Sequence, residues 1–298
     1  MSDPLDPTCI KYIDVDGIRT RYFESGSGDP IVLIHGGHFG IFVPMGIEVW
    51  SENVEALSRH GRVVAFDKLG QGWTDLPRAD EDWTFEAVLQ HARSFLELLD
   101  LYDITLVGHS RGGLLAARLA IELPERVRRL VVVSSASAAP GPHGGADMRF
   151  YDDVERSAPT DAGGAGVISH YHAAQAVSEG DLSAEYLRLA AEMMEHPKHG
   201  ESVEGYRRNC AAHWQPSLDR AREHLLAHLD DSGFGVPTLL VWGKDDRSAP
   251  LERGQQFFEI VARKTDLASM YIVNRAGHQV FRDRPQLFNG AVAAFVSS

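Results

Sequence analysis

The stretch that most constrains this chain is Ile104-Thr-Leu-Val-Gly-His-Ser110-Arg-Gly-Gly-Leu-Leu-Ala-Ala117. An apolar β-type run breaks into Gly108-x-Ser110-x-Gly112 and continues as an Ala/Leu-rich helical pattern. Strand, sharp turn and helix in that order make a nucleophile elbow. Its glycines are required because the turn forces backbones together where a side chain would clash. The turn lifts the Ser110 hydroxyl out at the end of a sheet and sets the Arg111 N–H at the start of a helix.

The remaining sequence supplies a sheet for that elbow. Pro30–His35 is a continuous apolar run of the kind shown by strands covered on both faces, and it leads into Gly36-Gly37-His38-Phe39-Gly40. A turn of this composition lets backbone N–H groups point into a site, as an oxyanion hole requires. Further strands are predicted at Arg62–Asp67, Arg129–Ser134, Val236–Asp246 and Met270–Val273. They alternate with helical patterns at Trp50–His60, Thr84–Leu99, Glu252–Val261 and Pro285–Val296, which implies a parallel sheet with helices on both sides. Asp16-Gly17, between two alternating runs, predicts an antiparallel hairpin at the edge.

From Ser134 to Gly145 the chain is small and Pro/Gly-rich, as expected of a linker leaving the sheet. Only helical patterns follow, at Gly166–Ser178, Ser183–Glu195, Ser202–Trp214 and Ser217–Asp230. The expected organisation is a core of residues 1–139 and 235–298, interrupted by a helical lid at 140–234.

A serine hydroxyl is a poor nucleophile without a base, normally a histidine oriented by a carboxylate. Ser110, Asp246 and His278 occur in the order nucleophile, acid, base, and each lies in a turn after a predicted strand. These features resemble the α/β-hydrolase superfamily over nearly the whole chain, from the His35-Gly36 turn through the inserted lid to Gly277-His278. The resemblance implies an α/β fold with a mostly parallel central sheet, helices on both faces and an inserted helical lid. Trp242-Gly-Lys-Asp-Asp246-Arg-Ser-Ala-Pro250 is similar to the family's acid-bearing loop, whose spacing selects Asp246 over Asp245. It further implies an acyl-enzyme mechanism in which Ser110, Asp246 and His278 form the triad. Gly37 (or His38) and Arg111 would supply the oxyanion hole. Relatives that open epoxides or displace halide carry a carboxylate at the elbow, so those reactions are not expected of Ser110.

A small, partly apolar ester or lactone is the first expectation for the substrate, since C–O cleavage needs no extra proton-transfer group. The alternative is hydrolysis of a C–C bond in ring-opened aromatic (dienoate) catabolites. His35-Gly-Gly-His-Phe-Gly40, Trp50-x-x-Asn53 and the four-helix lid are loosely similar to such enzymes, which usually have Asn before the nucleophile and Trp after the catalytic histidine. Here those positions are His109 and Gln279. A non-catalytic ligand receptor on the same fold is the reading from a different class. His38, His109, Phe150, Met194, Trp214 and Gln279 are the expected pocket residues. The Arg111 side chain is expected in a structural ion pair or against an anionic substrate group.

The 298 residues suit one or two domains, and a net charge of −13 opposes binding to nucleic acid or anionic membranes. Cys9 and Cys210 are too few for a disulfide framework, and no apolar run reaches membrane-spanning length. The start, Met1–Pro7, lacks signal-peptide character, so a cytoplasmic location is expected. No P-loop or dinucleotide fingerprint calls for a cofactor. Lid histidines His170, His172, His196, His199, His213, His224 and His228 invite a metal reading, but His224 and His228 share a helix face without H-E-x-x-H, so no metal is expected. The expected partner is a small-molecule substrate, with a homodimer left open.

Overall fold

The computed structural model describes residues 6–141, 149–177 and 182–298. Met1–Leu5, the linker from 142 to 145 and Ser178 at the end of an expected lid helix lie outside the described residues.

Eight strands form one sheet: β1 (Ile10–Val15), β2 (Ile18–Ser25), β3 (Pro30–Ile34), β4 (Arg62–Phe66), β5 (Ile104–His109), β6 (Val127–Val133), β7 (Thr238–Gly243) and β8 (Ala268–Val273). Their spatial order is β1-β2-β4-β3-β5-β6-β7-β8. The hairpin at Asp16-Gly17 makes β1 and β2 antiparallel, β2 meets β4 antiparallel, and every other pairing is parallel.

The helices, in chain order, are α1 (Val54–Leu57), α2 (Phe85–Leu98), α3 (Arg111–Glu122), α4 (Arg149–Arg156), α5 (Gly163–Gln175), α6 (Ala184–Glu195), α7 (Pro197–Asn209), α8 (Gln215–Asp231), α9 (Leu251–Ala262), α10 (Val280–Asp283) and α11 (Pro285–Val296). Side chains alternate across each strand, so the sheet carries two cores. Val32, Ile34, Leu106 and Val132 join one core with apolar residues of α2, α3, α8 and α9. Ile31, Leu33, Val107 and Val131 join the other with α1, α10 and α11. Burial on both faces is why these strands read as unbroken apolar runs.

Two expectations are corrected. The apolar stripe Leu218, Ala221, Leu225 and Leu229, assigned to the lid, packs in the same core as α2 and α3. Ser217 Oγ accepts from the Phe85 N–H at 2.8 Å, tying the start of α8 to the start of α2. That leaves α4 to α7 for the expected lid, and a π-helical turn at Cys210–Trp214 links α7 to the core helix α8. The helix predicted over Trp50–His60 is broken into a 3₁₀ turn at Ile47–Trp50 and the single turn of α1. Tertiary contacts decide this: Trp50 packs on Phe281 (4.3 Å between ring centroids), and Asn53 Nδ2 donates to Phe281 O and Asn289 Oδ1, both at 2.9 Å. Among the described residues no helix is long and apolar enough to cross a membrane.

Candidate active site

Ser110 follows β5 and precedes α3, with φ +53° and ψ −123°, an uncommon backbone conformation for a residue other than glycine. Such a residue costs on the order of 1–3 kcal/mol and persists only where its surroundings over-determine it. Here the Ser110 N–H donates to Val133 O at 2.9 Å, and Ser110 O accepts from the Gly113 N–H at 2.8 Å. The glycines leave no alternative. A Cβ on Gly108 would run into the Gly112 carbonyl and reach Ala116 Cβ at 2.7 Å, and one on Gly112 would overlap the carbonyls of Ile34 and His35.

The loops after β7 and β8 bring acid and base together. His278 Nδ1 donates to Asp246 Oδ2 at 2.8 Å, and both side chains are buried. Asp246 Oδ1 accepts from the N–H groups of Ser248 (2.9 Å) and Ala249 (2.7 Å), which fixes the carboxylate from its other side. Neighbouring Asp245 is exposed. The His278 N–H donates to Gln175 O of lid helix α5 at 3.0 Å. His109 packs beside His278 (4.6 Å between ring centroids) and donates from Nε2 to the His278 carbonyl at 3.1 Å. Burial, then the neighbouring His278, holds the His109 imidazole well below its ordinary pKa, so it is neutral.

Around Gly37 the backbone is fixed by Lys68, which the sequence reading did not single out. Lys68 follows β4 by two positions, and its Nζ donates to Gly37 O at 2.8 Å. Burial, then Arg111, pushes its ammonium well below the usual lysine pKa. Because the peptide is planar, holding the Gly37 carbonyl also sets the direction of the His38 N–H. His35 supports the same turn, donating from Nδ1 to Gly36 O (2.8 Å) and accepting at Nε2 from the Lys68 N–H (3.2 Å). Arg111 opens α3, where backbone N–H groups point out of the helix. Its buried side chain lines a cavity with Ser110 and His278, and its charge reaches His38, Lys68 and Tyr151.

The expected pocket residues divide. His38 lines a cavity of about 350 Å³ whose wall includes Ile41, Phe42, Tyr206 and Cys210. Trp214 is buried behind His38 (5.4 Å between rings), where it joins the core. Phe150 is displaced by its neighbour: Tyr151 faces both Ser110 and the larger cavity, and Phe150 packs edge-on against it at 5.3 Å. Met194 packs against the lid side of the second core, and Gln279 is buried beside His172, so neither lines these two cavities.

Lid histidines have other engagements: His172 Nε2 with Tyr186 Oη (2.8 Å), His170 Nε2 with Val154 O (3.1 Å), His199 Nε2 with Phe42 O (3.3 Å). His196 Nδ1 accepts from the Lys198 N–H, capping α7, and His224, expected in the lid, is exposed on the core helix α8.

A serine on a strained elbow, a buried acid–base pair and an adjoining cavity equip this rim of the sheet for acyl transfer. The 2-hydroxy-6-oxo-6-(2'-aminophenyl)hexa-2,4-dienoic acid hydrolase of Metapseudomonas resinovorans is 25% identical, over 96% of this chain and 90% of its own. The 2-hydroxy-6-oxo-2,4-heptadienoate hydrolase of Pseudomonas putida is 27% identical, over 95% of this chain and 94% of its own. The solved meta-cleavage product hydrolase of Pseudomonas fluorescens superposes with a TM-score of 0.75 at 23% identity, covering 96% of this chain and 97% of that one. A family model described as the alpha/beta hydrolase fold matches residues 29–285, and the chain belongs to that family.

Proposed function

We propose that the protein is a serine hydrolase that cleaves the C–C bond next to the ketone of a ring-opened 2-hydroxy-6-oxo-dienoate. The observation that carries the hydrolase reading is the buried His278–Asp246 pair at 2.8 Å on the rim that bears Ser110. Two relatives named for such dienoates match nearly the full chain, which reverses the order of substrates expected from sequence.

In this reading the dienol first tautomerises to the ketone. His278 then takes the Ser110 proton while Asp246 steadies the imidazolium. Ser110 Oγ bonds to the carbonyl carbon, and the oxyanion sits against backbone N–H groups at Arg111 and at Gly37 or His38. One such donor is worth about 3–4 kcal/mol where measured. The C–C bond breaks as the tetrahedral intermediate collapses. Its electrons leave as a conjugated enolate, and His278 returns a proton to the departing fragment. Water, with His278 as base, releases the acyl group. The apolar wall of Ile41, Phe42 and Tyr206 suits the alkyl or aryl group on the ketone.

An ester or lactone substrate remains the second reading, supported by His109 and Gln279 at positions where dienoate hydrolases usually carry Asn and Trp. The test is a side-by-side panel of dienoates with alkyl and aryl ketones, p-nitrophenyl esters and lactones. A kcat/KM at least about tenfold higher for a dienoate is expected. The same margin in favour of an ester or lactone would establish the second reading. No turnover of any of them would leave a ligand-binding role.

A further inference from the structure

Two cavities meet at Tyr151. The one that touches Ser110 and His278 is about 20 Å³, and its larger neighbour is about 350 Å³. Tyr151 and Gln215 line both. The smaller space holds about one water, whereas the larger lies in the range of small-ligand sites. A substrate bearing a scissile carbonyl therefore does not fit against Ser110 while the Tyr151 ring stays where it is.

The hydroxyl adds a second constraint. His278 Nδ1 is committed to Asp246, so Nε2 presents a single lone pair. Tyr151 Oη lies 3.4 Å from that Nε2 and 3.0 Å from Ser248 Oγ. The same hydroxyl is within hydrogen-bonding reach of the Ser110 side chain, so the phenol sits between nucleophile and base, and whenever its O–H donates to Nε2 it competes with the Ser110 proton. The lone pair that must receive the Ser110 proton is thus shared with a lid side chain. Helix α4 buries only Tyr151 and Val154 among its residues, so its hold on the site is slight.

We propose that Tyr151 is the gate of this site. Its ring divides the nucleophile from the substrate cavity, its hydroxyl occupies the base, and a substrate filling the larger cavity displaces both together. Selection by acyl size follows, because a group that cannot move the ring does not reach Ser110. The gate rests on Ser110 being the nucleophile.

The test is the rate of inactivation by two fluorophosphonates, one with a short alkyl chain and one with a bulky aryl group. It is measured for the wild type, Tyr151→Phe and Tyr151→Ala. Tyr151→Phe keeps the ring and frees Nε2. Its limiting inactivation rate with the small probe is expected to rise about threefold to tenfold, at an unchanged half-saturating concentration. Tyr151→Ala removes the partition, so the bulky probe reacts within about threefold of the small one. A residue needed only for folding cannot raise a rate when it is changed, so the gain in the Phe variant separates a gate from a structural role. The gate is overturned if Tyr151→Phe reacts no faster than wild type, or if Tyr151→Ala still discriminates as wild type does. Absence of labelling in every variant, wild type included, would instead overturn the serine reading and the gate with it.

Discussion

The imidazole of His109 donates to the backbone carbonyl of His278 at 3.1 Å, so the residue before the candidate nucleophile braces the loop that carries its base. A neutral hydrogen bond of this kind contributes about 1 kcal/mol. His109→Ala is expected to lower kcat about fivefold to tenfold with little change in KM. Steady-state kinetics on an activated ester check this, and an unchanged kcat would show that the loop holds without the brace.

Gly112 is packed too tightly against the carbonyls of Ile34 and His35 to carry a side chain. Gly112→Ala is expected to destabilise the fold by about 2–3 kcal/mol, the upper range for overpacking, because the obstacle is backbone in the central strand pair. Urea unfolding measures the loss directly.

Arg21 lies buried between two carboxylates, with Nη2 2.6 Å from Glu48 Oε1 and Nε 2.7 Å from Asp67 Oδ2. Asp67 also accepts from the N–H groups of Ile47 (2.8 Å) and Trp73 (2.7 Å), so the cluster anchors both loops beside β4. Arg21→Met leaves two buried carboxylates without their cation. The expected cost is about 3–5 kcal/mol, readable as a lower urea midpoint at unchanged slope.

Buried histidines set the acid limit of stability. Burial holds His91 down at about 4, and burial followed by the nearby Arg282 holds His172 at about 3, against an ordinary 6.5. Each folded value lies below the unfolded one. Their contribution is therefore complete above pH 6.5 and is lost as the pH falls toward 4 and then 3. Each group steepens the loss by about 1.4 kcal/mol per pH unit in that window. His91→Gln is expected to flatten the acid slope by one such increment, and denaturation at several pH values tests it.

The convergence of Ser110, Asp246 and His278 on one rim was legible in the sequence because each sits in a turn after a strand whose apolar run is unmistakable, and strand ends converge in such a sheet. The two-faced burial of β3 and β5 was legible for the same reason. Helix α8 was not, since the stripe Leu218–Leu229 states that one face is buried without stating which surface buries it. Tyr151 left no signal. It stands on a short helix after an irregular stretch, and a shift of one residue exchanges it for Phe150. Lys68 followed a recognised strand, but only the fold shows its amine turned onto the Gly37 carbonyl.

In the proposed mechanism Ser110 is the nucleophile, served by His278 and Asp246. Mass spectrometry of protein quenched during turnover of an activated ester tests it most directly. One acyl adduct is expected, on the peptide containing Ser110, and it disappears in Ser110→Ala. An adduct on another residue, or one that persists in Ser110→Ala, would contradict it.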